Sequence, residues 1–545
     1  MLATVSLFIG TRDAWTRAIH YDPPVAAVIS AGYAGILVCG VLSLCVTGRR
    51  ALGRVDAAVL GVALALAVCA YWLDHGGTDE GVLTAQAASE IVHGRPVYGS
   101  PWPWLFELPR VGLTRTMSGG GDYTYAYPPL AALLTAPVRL VVHSTAAATL
   151  VTTAALVAGT LALWRLLPAP WRSAATAVCL GFGLLPHYAR AGYPALVAFA
   201  LLVPVVVRWQ DTGAGGRLGR RGLLRACCLG AACAAQQLAW AFAPFLLVGI
   251  HAVRRGDPVP GAARSARAVT ARYAGVAALT CLVLNAYVAL QGPRAWLGGM
   301  LLPFTQGAIL HGQGLMGISY YFTSGSGRLD FYSYASLLLL LGLLAALALF
   351  VRRLGPALTV LPWLPFYLAT RSQDGYYLLM TPLWLAAAVT VPTAALATAW
   401  QPALPRPLAG RRVRAAVAVG LVLPAALCAT VAAASPPPLR MTLTPRFTEG
   451  SRHGITSLAV RAVNTTGARL TPHFASRTGQ GASPWWPIRS GPPALGPHAS
   501  ASYVLRPPHG LYAVARGPHM PVRLIAVTDG PMTVTTALVP TRHRH

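Results

Sequence analysis

Val55 to Gly81 reads VDAAVLGVALALAVCAYWLDHGGTDEG, and the change of character inside it decides the fold. Residues 55–73 form one apolar run. At 1.5 Å per helical residue that run covers roughly 28 Å, close to the hydrocarbon thickness of a bilayer. The chain then turns polar at Asp74. Of the 15 acidic residues, six (Asp74, Asp79, Glu80, Glu90, Glu107 and Asp122) lie between there and the next apolar run at Pro128. A membrane-crossing segment therefore delivers the chain into an acidic, aromatic loop, residues 74–127.

The rest of the sequence fits that start. The 545 residues are 55% hydrophobic and 11% charged, with a mean hydropathy of +0.54. A soluble domain carries about 25% charged residues, so the chain reads as a polytopic α-helical membrane protein. The net charge of +28 comes from arginine alone, because there is no lysine. The arginines cluster in short links between apolar runs, as the positive-inside rule expects. No recognition motif accompanies the charge, which argues against nucleic acid as a partner. The nine cysteines all sit in apolar segments without metal-ligand spacing and read as small buried hydrophobes. Residues 1–23 show no cleavable leader pattern, so the first apolar run serves as its own targeting signal.

Apolar runs at 24–46 and 55–73 flank Arg49, Arg50 and Arg54, which places that link inside and loop 74–127 outside. Four runs follow (128–142, 146–166, 172–186 and 192–207) before the basic link from Arg208 to Arg225. Loop-to-link parity needs an odd number of crossings, so one of the four is not a full span. The run 226–250 lies between two basic links and must go in and come back. Its polar centre, Gln236–Gln237, predicts two half-helices of about 12 residues, whose exposed backbone is tolerable only against a protein cavity. Beyond it, 273–291 leads to a second outer loop at 292–330. Runs 331–351, 355–370, 376–399 and 415–434 follow. In all, the sequence predicts about 11–13 membrane segments, some re-entrant.

After Ser435 the pattern changes. A stiff Pro436–Pro438 linker precedes short strand-like runs at 441–444, 457–463, 502–505, 522–527 and 532–535, separated by turn signals. Residues 435–545 thus read as an extracytoplasmic β-sandwich, attached to a transmembrane domain at 1–434. Trp485, Trp486 and Phe474 are either its core or a stacking surface for a glycan or wall polymer.

Within loop 74–127, Thr78 is placed to cap a helix that starts at Asp79. Asp79 and Glu80 would then sit in its first turn, where the helix dipole favours their ionised forms. Glu90 and His93 recur at helical spacing and could line the same groove. Tyr98, Trp102, Trp104, Tyr125 and Tyr127 suit an interfacial belt or stacking on sugar rings. Gly119–Gly121 before Asp122 reads as a hinge. Asp79 and Asp122 are the residues that could share a divalent ion, and no clear metal cluster stands out.

Thr78-Asp79-Glu80-Gly81, Ser89-Glu90-Ile91, His93-Gly94-Arg95-Pro96-Val97-Tyr98 and Tyr127-Pro128-Pro129-Leu130, in that order, resemble the GT-C superfamily of polyprenyl-phosphate-sugar-dependent glycosyltransferases, in particular its bacterial mannosyltransferase and arabinosyltransferase branches. Gln236–Gln237 before Trp240, Phe242 and Pro244 is similar to a short-helix pair of that superfamily. The resemblance covers roughly residues 55–400. It departs from the pattern in an extra apolar run before the loop and in an Asp-Glu pair where Asp-Asp is usual.

The resemblance implies an inverting transfer of a mannose- or arabinose-like sugar from a polyprenyl-phosphate donor to an extracytoplasmic glycan or glycolipid. Asp79, or its neighbour Glu80, would be the base. Arg371, then Arg190 beside His187, and Arg115 would meet the donor phosphate. Glu90, His93, Tyr98, Trp102, Trp104, Asp122, Tyr125, Tyr127, Gln236 and Gln237 would line the substrate site. Two other readings stand beside it. A transporter or flippase of lipid-linked saccharides would place its carboxylates at mid-membrane, and a non-catalytic wall-assembly scaffold would tolerate loss of Asp79.

Overall fold

The computed structural model describes residues 1–107, 111–310, 312–373, 375–403, 410–447, 454–479, 481–508, 512–513 and 522–540. The chain opens with two short helices, α1 (Leu2–Gly10) and α2 (Arg12–Tyr21), folded back on α3 (Pro23–Cys45) and α4 (Arg49–Leu73). Proline at the first position of α3 and the Asp22 carboxylate, which accepts from the Val25 N–H at 3.4 Å, set its start. The acidic loop contributes α5 (Asp79–Val92). Then come α6 (Leu130–Arg139), α7 (Ala146–Leu166), α8 (Arg172–Leu180), α9 (Leu184–Ala191) and α10 (Ala195–Val206).

These elements resolve the parity problem. The start of α7 is tied back to the acidic loop, with Thr145 donating to the Gly76 carbonyl at 3.1 Å and Thr149 to that of His75 at 3.0 Å. Helix α6 therefore begins and ends on the loop side, packed on α5, and is the run that does not cross. α7 leads away. α8 starts with Arg172, whose charge faces Asp56 near the far end of α4. α8 and α9, broken at Gly181–Gly183, return to the loop side, where Gly192 follows α9. α10 leads away again, which makes three passes.

The expected hairpin at Gln236–Gln237 is present as α11 (Arg220–Ala235) and α12 (Leu238–Arg255). Both basic ends are anchored on the segment after α10: Arg225 donates to the Val207 and Arg208 carbonyls, and Arg254 to that of Gln210. The arms are 16 and 18 residues long rather than about 12, because the helix runs straight through Arg220, Arg221 and Arg225. Arginine stems are good helix formers and did not end it. Next come α13 (Ala262–Gln291), α14 (Pro293–Thr305), α15 (Asp330–Leu349), the short α16 (Val351–Leu354), α17 (Gly375–Leu378), α18 (Thr381–Thr390) and α19 (Thr393–Ala397), and finally α20 (Arg411–Ala434).

Seven helices are long and apolar enough to cross a bilayer: α3, α4, α7, α12, α13, α15 and α20. There are eight if α10 and its bent continuation through Trp209–Gly216 count as one span. The remaining runs within the expected 11–13 segments, α8–α9 among them, are too short or too broken to qualify by length and composition among the described residues. Run 355–370 is the clearest case. Pro356, Pro362 and Pro365 remove helix donors, and the run forms 3₁₀ turns at Gly355–Ala357 and Leu361–Tyr367.

The C-terminal region forms two antiparallel sheets. The strands are β1 (Gly325–Ser326), β2 (Leu439–Phe447), β3 (Gly454–Asn464), β4 (His473–Thr478), β5 (Gly481–Trp485), β6 (Ile488–Ser490), β7 (Ser500–Leu505), β8 (Tyr512–Ala513), β9 (Arg523–Thr528) and β10 (Thr533–Leu538). One sheet has the order β1-β10-β9-β4-β5 and the other β2-β3-β7-β6, with β8 also on β3. Leu443, Leu458 and Val460 from one sheet meet Phe474, Leu524 and Ala526 from the other in a common core. β1 belongs to the 292–330 loop, so the boundary drawn at 435 is crossed: a strand from the loop completes the first sheet. The opposite face of that sheet (Ala475, Ile525, Val527 and Val534) packs on Met117, Ala308, Leu310, Tyr320 and Ala432.

Candidate active site

The site starts where α5 meets the end of α9. Thr78 donates both its N–H and its hydroxyl to the Ala191 carbonyl, at 2.9 and 3.1 Å. It anchors the helix to a neighbour rather than capping it with its side chain, contrary to the expectation from sequence. A Cβ on Gly81 would lie 2.7 Å from the Ala191 oxygen, and one on Gly192 would lie 2.4 Å from the Gly81 Cα. Glycine at both positions, with φ +89° at Gly192, lets the two backbones touch. This close approach fixes the first turn of α5 and its two carboxylates.

The two carboxylates meet different surroundings. Asp79 Oδ1 accepts from the Glu80 N–H at 3.0 Å, and Oδ2 accepts from the Thr114 hydroxyl at 2.6 Å. Glu80 turns inward. Its Oε2 is shut off from solvent without a hydrogen-bond partner. Burial first, and the Asp79 charge second, push its pKa up to about 8, against the opposing pull of the Tyr127 hydroxyl and Arg371. Adjacent in sequence, the two differ in surroundings: Asp79 is held by two donors, while Glu80 is shut in and its pKa is raised.

A chain of contacts runs from Asp79 across the site. The Asp122 N–H donates to the Thr114 carbonyl at 2.9 Å. The Asp122 carboxylate accepts from Arg371 Nη2, and Arg371 Nη1 donates to Gln306 Oε1 at 2.8 Å. Burial lowers the Arg371 pKa, but the Asp122 carboxylate together with Tyr376 and Tyr127 outweighs it and holds the guanidinium above its ordinary value. Tyr127 and Tyr376 lie in the field of both Glu80 and Arg371. Three carboxyl groups, one largely buried guanidinium and two phenols thus converge from α5, the 114–122 hairpin and the segment after it, the link before α17, and α17 itself, with Gln306 joining from the end of α14.

Asp79, Glu80, Asp122, Tyr127 and Arg371 are brought together as the sequence suggested. Asp374, three residues after Arg371, lies outside the described residues. Arg190 faces Asp74 and Arg17, a separate cluster. His187 is exposed and stacks edge-on against Tyr188. Arg115 is half-buried beside Tyr123, and its pKa is lowered by burial.

Several candidates for the substrate groove are committed elsewhere. Glu90 is bound by Arg95 at 2.5 and 3.1 Å and by Gln86 at 2.6 Å; the Arg95 contact first of all lowers its pKa. His93 Nδ1 closes on the Ser89 carbonyl at the exposed end of α5. Tyr98 is buried and donates to the Tyr127 carbonyl at 2.7 Å. Buried Tyr125 donates to the Pro128 carbonyl at 3.2 Å. Trp102 is buried, while Trp104 is exposed and free to meet a bilayer interface or a ligand. Gln237 donates to the Ala126 and Met300 carbonyls at 2.6 and 3.2 Å, and Gln236 Oε1 accepts from the Gln237 N–H. The glutamine pair staples the hairpin tip to the loop instead of lining a groove.

Phe474 and Trp486 are sandwich core, and Trp485 is half-buried against the 114–122 hairpin, so the three form no glycan platform. Among the described residues no three His, Cys, Asp or Glu side chains gather as a metal site. Sequence reading missed Thr114, Gln306 and Tyr376. Tyr376, five residues after Arg371, was the most findable of the three. No family model matches the chain, and no match is found among curated proteins or solved structures.

Proposed function

We propose that this protein is an integral membrane glycosyltransferase that moves a sugar from a polyprenyl-phosphate donor to a hydroxyl of an extracytoplasmic glycan or glycolipid, with inversion at the anomeric carbon. The observation that supports this reading is the contact chain Asp79–Thr114–Asp122–Arg371, which links a hydrogen-bonded carboxylate to a largely buried guanidinium.

Asp79 is the base. Its carboxylate is held in place by the Thr114 hydroxyl and the Glu80 N–H, as a group that must aim at a proton requires. It takes the proton of the acceptor hydroxyl as that oxygen forms a bond to the anomeric carbon. The bond from the anomeric carbon to the donor phosphate oxygen breaks, and its electron pair leaves with the polyprenyl phosphate. Arg371 meets the charge that develops there. A guanidinium already held in place stabilises such charge without reorganising. Glu80, neutral beneath Asp79, keeps a second negative charge away from the departing phosphate.

The test is Asp79→Asn, assayed in membranes with a panel of labelled polyprenyl-phosphate sugars. Wild-type protein transfers label from one of them. The variant, at equal expression and with unchanged thermal unfolding, does not. Full transfer by the variant would overturn the assignment of the base.

A further inference from the structure

The C-terminal β-sandwich touches the site from behind at two places. The first is the 114–122 hairpin. Its strands are bridged at Arg115 and Gly121, and its tip turns through Gly119 at φ +83°. Trp485 Nε1 donates to the Gly120 carbonyl at 3.0 Å. The His473 ring lies against Gly119 so closely that a Cβ there would sit 2.2 Å from Nδ1. His473 and Trp485 also pack edge-on against each other, with centroids 5.9 Å apart.

The glycines read from sequence as a hinge are therefore clamped between two β-domain side chains. The base of the same hairpin carries Thr114, which holds Asp79, and Asp122, which pairs with Arg371. The second place is Gly307, at φ +79°, which packs on Met532 and Asp529. It directly follows Gln306, the other partner of Arg371. Both side chains bonded to Arg371 thus belong to backbone segments braced by the β-domain.

We propose that the β-sandwich is a positioning element of the active site, with Trp485 and His473 acting through the 114–122 hairpin to hold Thr114 on Asp79 and Asp122 on Arg371. This role rests on the proposed transfer reaction, but its mechanical half does not. A brace of this kind restricts the orientation of the base and of the phosphate-binding guanidinium, and orientation is where positioned catalytic groups gain most of their effect.

The test uses the full-length protein in nanodiscs. Trp485→Phe keeps the ring and deletes the donor. Gly119→Ala disturbs the neighbouring His473 contact from the hairpin side and serves if the first variant folds poorly. Two measurements are made: amide hydrogen exchange, and kcat and KM for transfer. The amides of Thr116, Gly119 and Asp122 should exchange about tenfold faster, the worth of one hydrogen bond. Exchange in α7 and β9 should not change. kcat should fall about tenfold, while the acceptor KM holds.

Unchanged exchange in the hairpin, or faster exchange spread evenly over α7 and β9, would overturn the proposal. So would a local loosening that leaves kcat untouched in an active enzyme. If wild-type protein transfers no sugar, the reaction reading fails, and the exchange measurement alone still decides whether the β-domain braces the Asp79–Arg371 group.

Discussion

Glu80→Gln should stabilise the protein at alkaline pH and hardly at all at acidic pH. In the folded state the Glu80 pKa moves from an ordinary 4.5 to about 8, through burial and then through Asp79. Between those values the folded chain holds a proton that the unfolded chain has lost. The stability contribution is therefore complete below pH 4.5 and drains away as pH rises through 8. At about 1.4 kcal/mol per tenfold, the loss approaches about 5 kcal/mol at pH 9 and stays near 1 kcal/mol at pH 5.

Glutamine has the same shape and no charge to desolvate. The gap between variant and wild type should accordingly open by about 4 kcal/mol between the two pH values. With an unfolding entropy of about 2.1 cal/mol/K per residue, 545 residues turn that into a Tm difference of roughly 3–4 °C. Intrinsic tryptophan fluorescence during a temperature ramp, in one detergent buffered at pH 5 and pH 9, reads it directly. In an Asp79→Asn background the gap should shrink, because one of the two causes of the shift is gone. A Tm difference that is the same at both pH values would refute the account of Glu80 as a buried neutral carboxyl.

Three further predictions concern the rest of the contact chain. Thr114→Val removes the hydroxyl on Asp79 and should lower kcat by about tenfold, with little change in acceptor KM, measured by initial rates. Arg371→Lys should raise the donor KM more than it lowers kcat, because a point charge replaces a planar fork that binds Asp122 and Gln306 together; an unchanged donor KM would remove Arg371 from phosphate binding. Gln237→Leu removes the donor to the Ala126 and Met300 carbonyls and should cost about 1–3 kcal/mol in thermal or denaturant unfolding, with no selective effect on donor binding.

The bundle was legible where one residue type carried the signal. Arginine links marked one end of the apolar runs, and polar Gln236–Gln237 marked a hairpin tip. Run 128–142 and run 355–370 misled because hydropathy does not report geometry: α6 lies on α5 with both ends on the loop side, and the prolines between Gly355 and Tyr367 wind the chain into 3₁₀ turns. Strand β9 reads Arg-Leu-Ile-Ala-Val-Thr, an unbroken apolar run rather than an alternation, because both faces of its sheet are buried. That run was the sequence's one hint that the sandwich is docked.

In the site, Asp79, Glu80, Asp122 and Arg371 stood out as rare charges in an apolar chain. Thr114 and Gln306 are ordinary polar residues, 35 and 65 positions from the groups they hold, and nothing local marks them. Local sequence also could not separate Asp79 from Glu80. What separates them is the enclosure of Glu80 and the Thr114 hydroxyl on Asp79, which only the fold supplies.

The strand borrowed from the 292–330 loop has a consequence for how the protein is made. Gly325–Ser326 covers β10, and the loop backbone continues the pairing through the Thr536 N–H to the Ser324 carbonyl at 2.8 Å. The loop leaves the ribosome more than a hundred residues before β10 does, so its pairing groups wait for a partner that does not yet exist. Until the last strand arrives, neither edge is shielded, and exposed edges of this kind recruit other chains. The first sheet therefore closes only once β9 and β10 exist, and a chain lacking them leaves the Gly325–Ser326 edge without its partner.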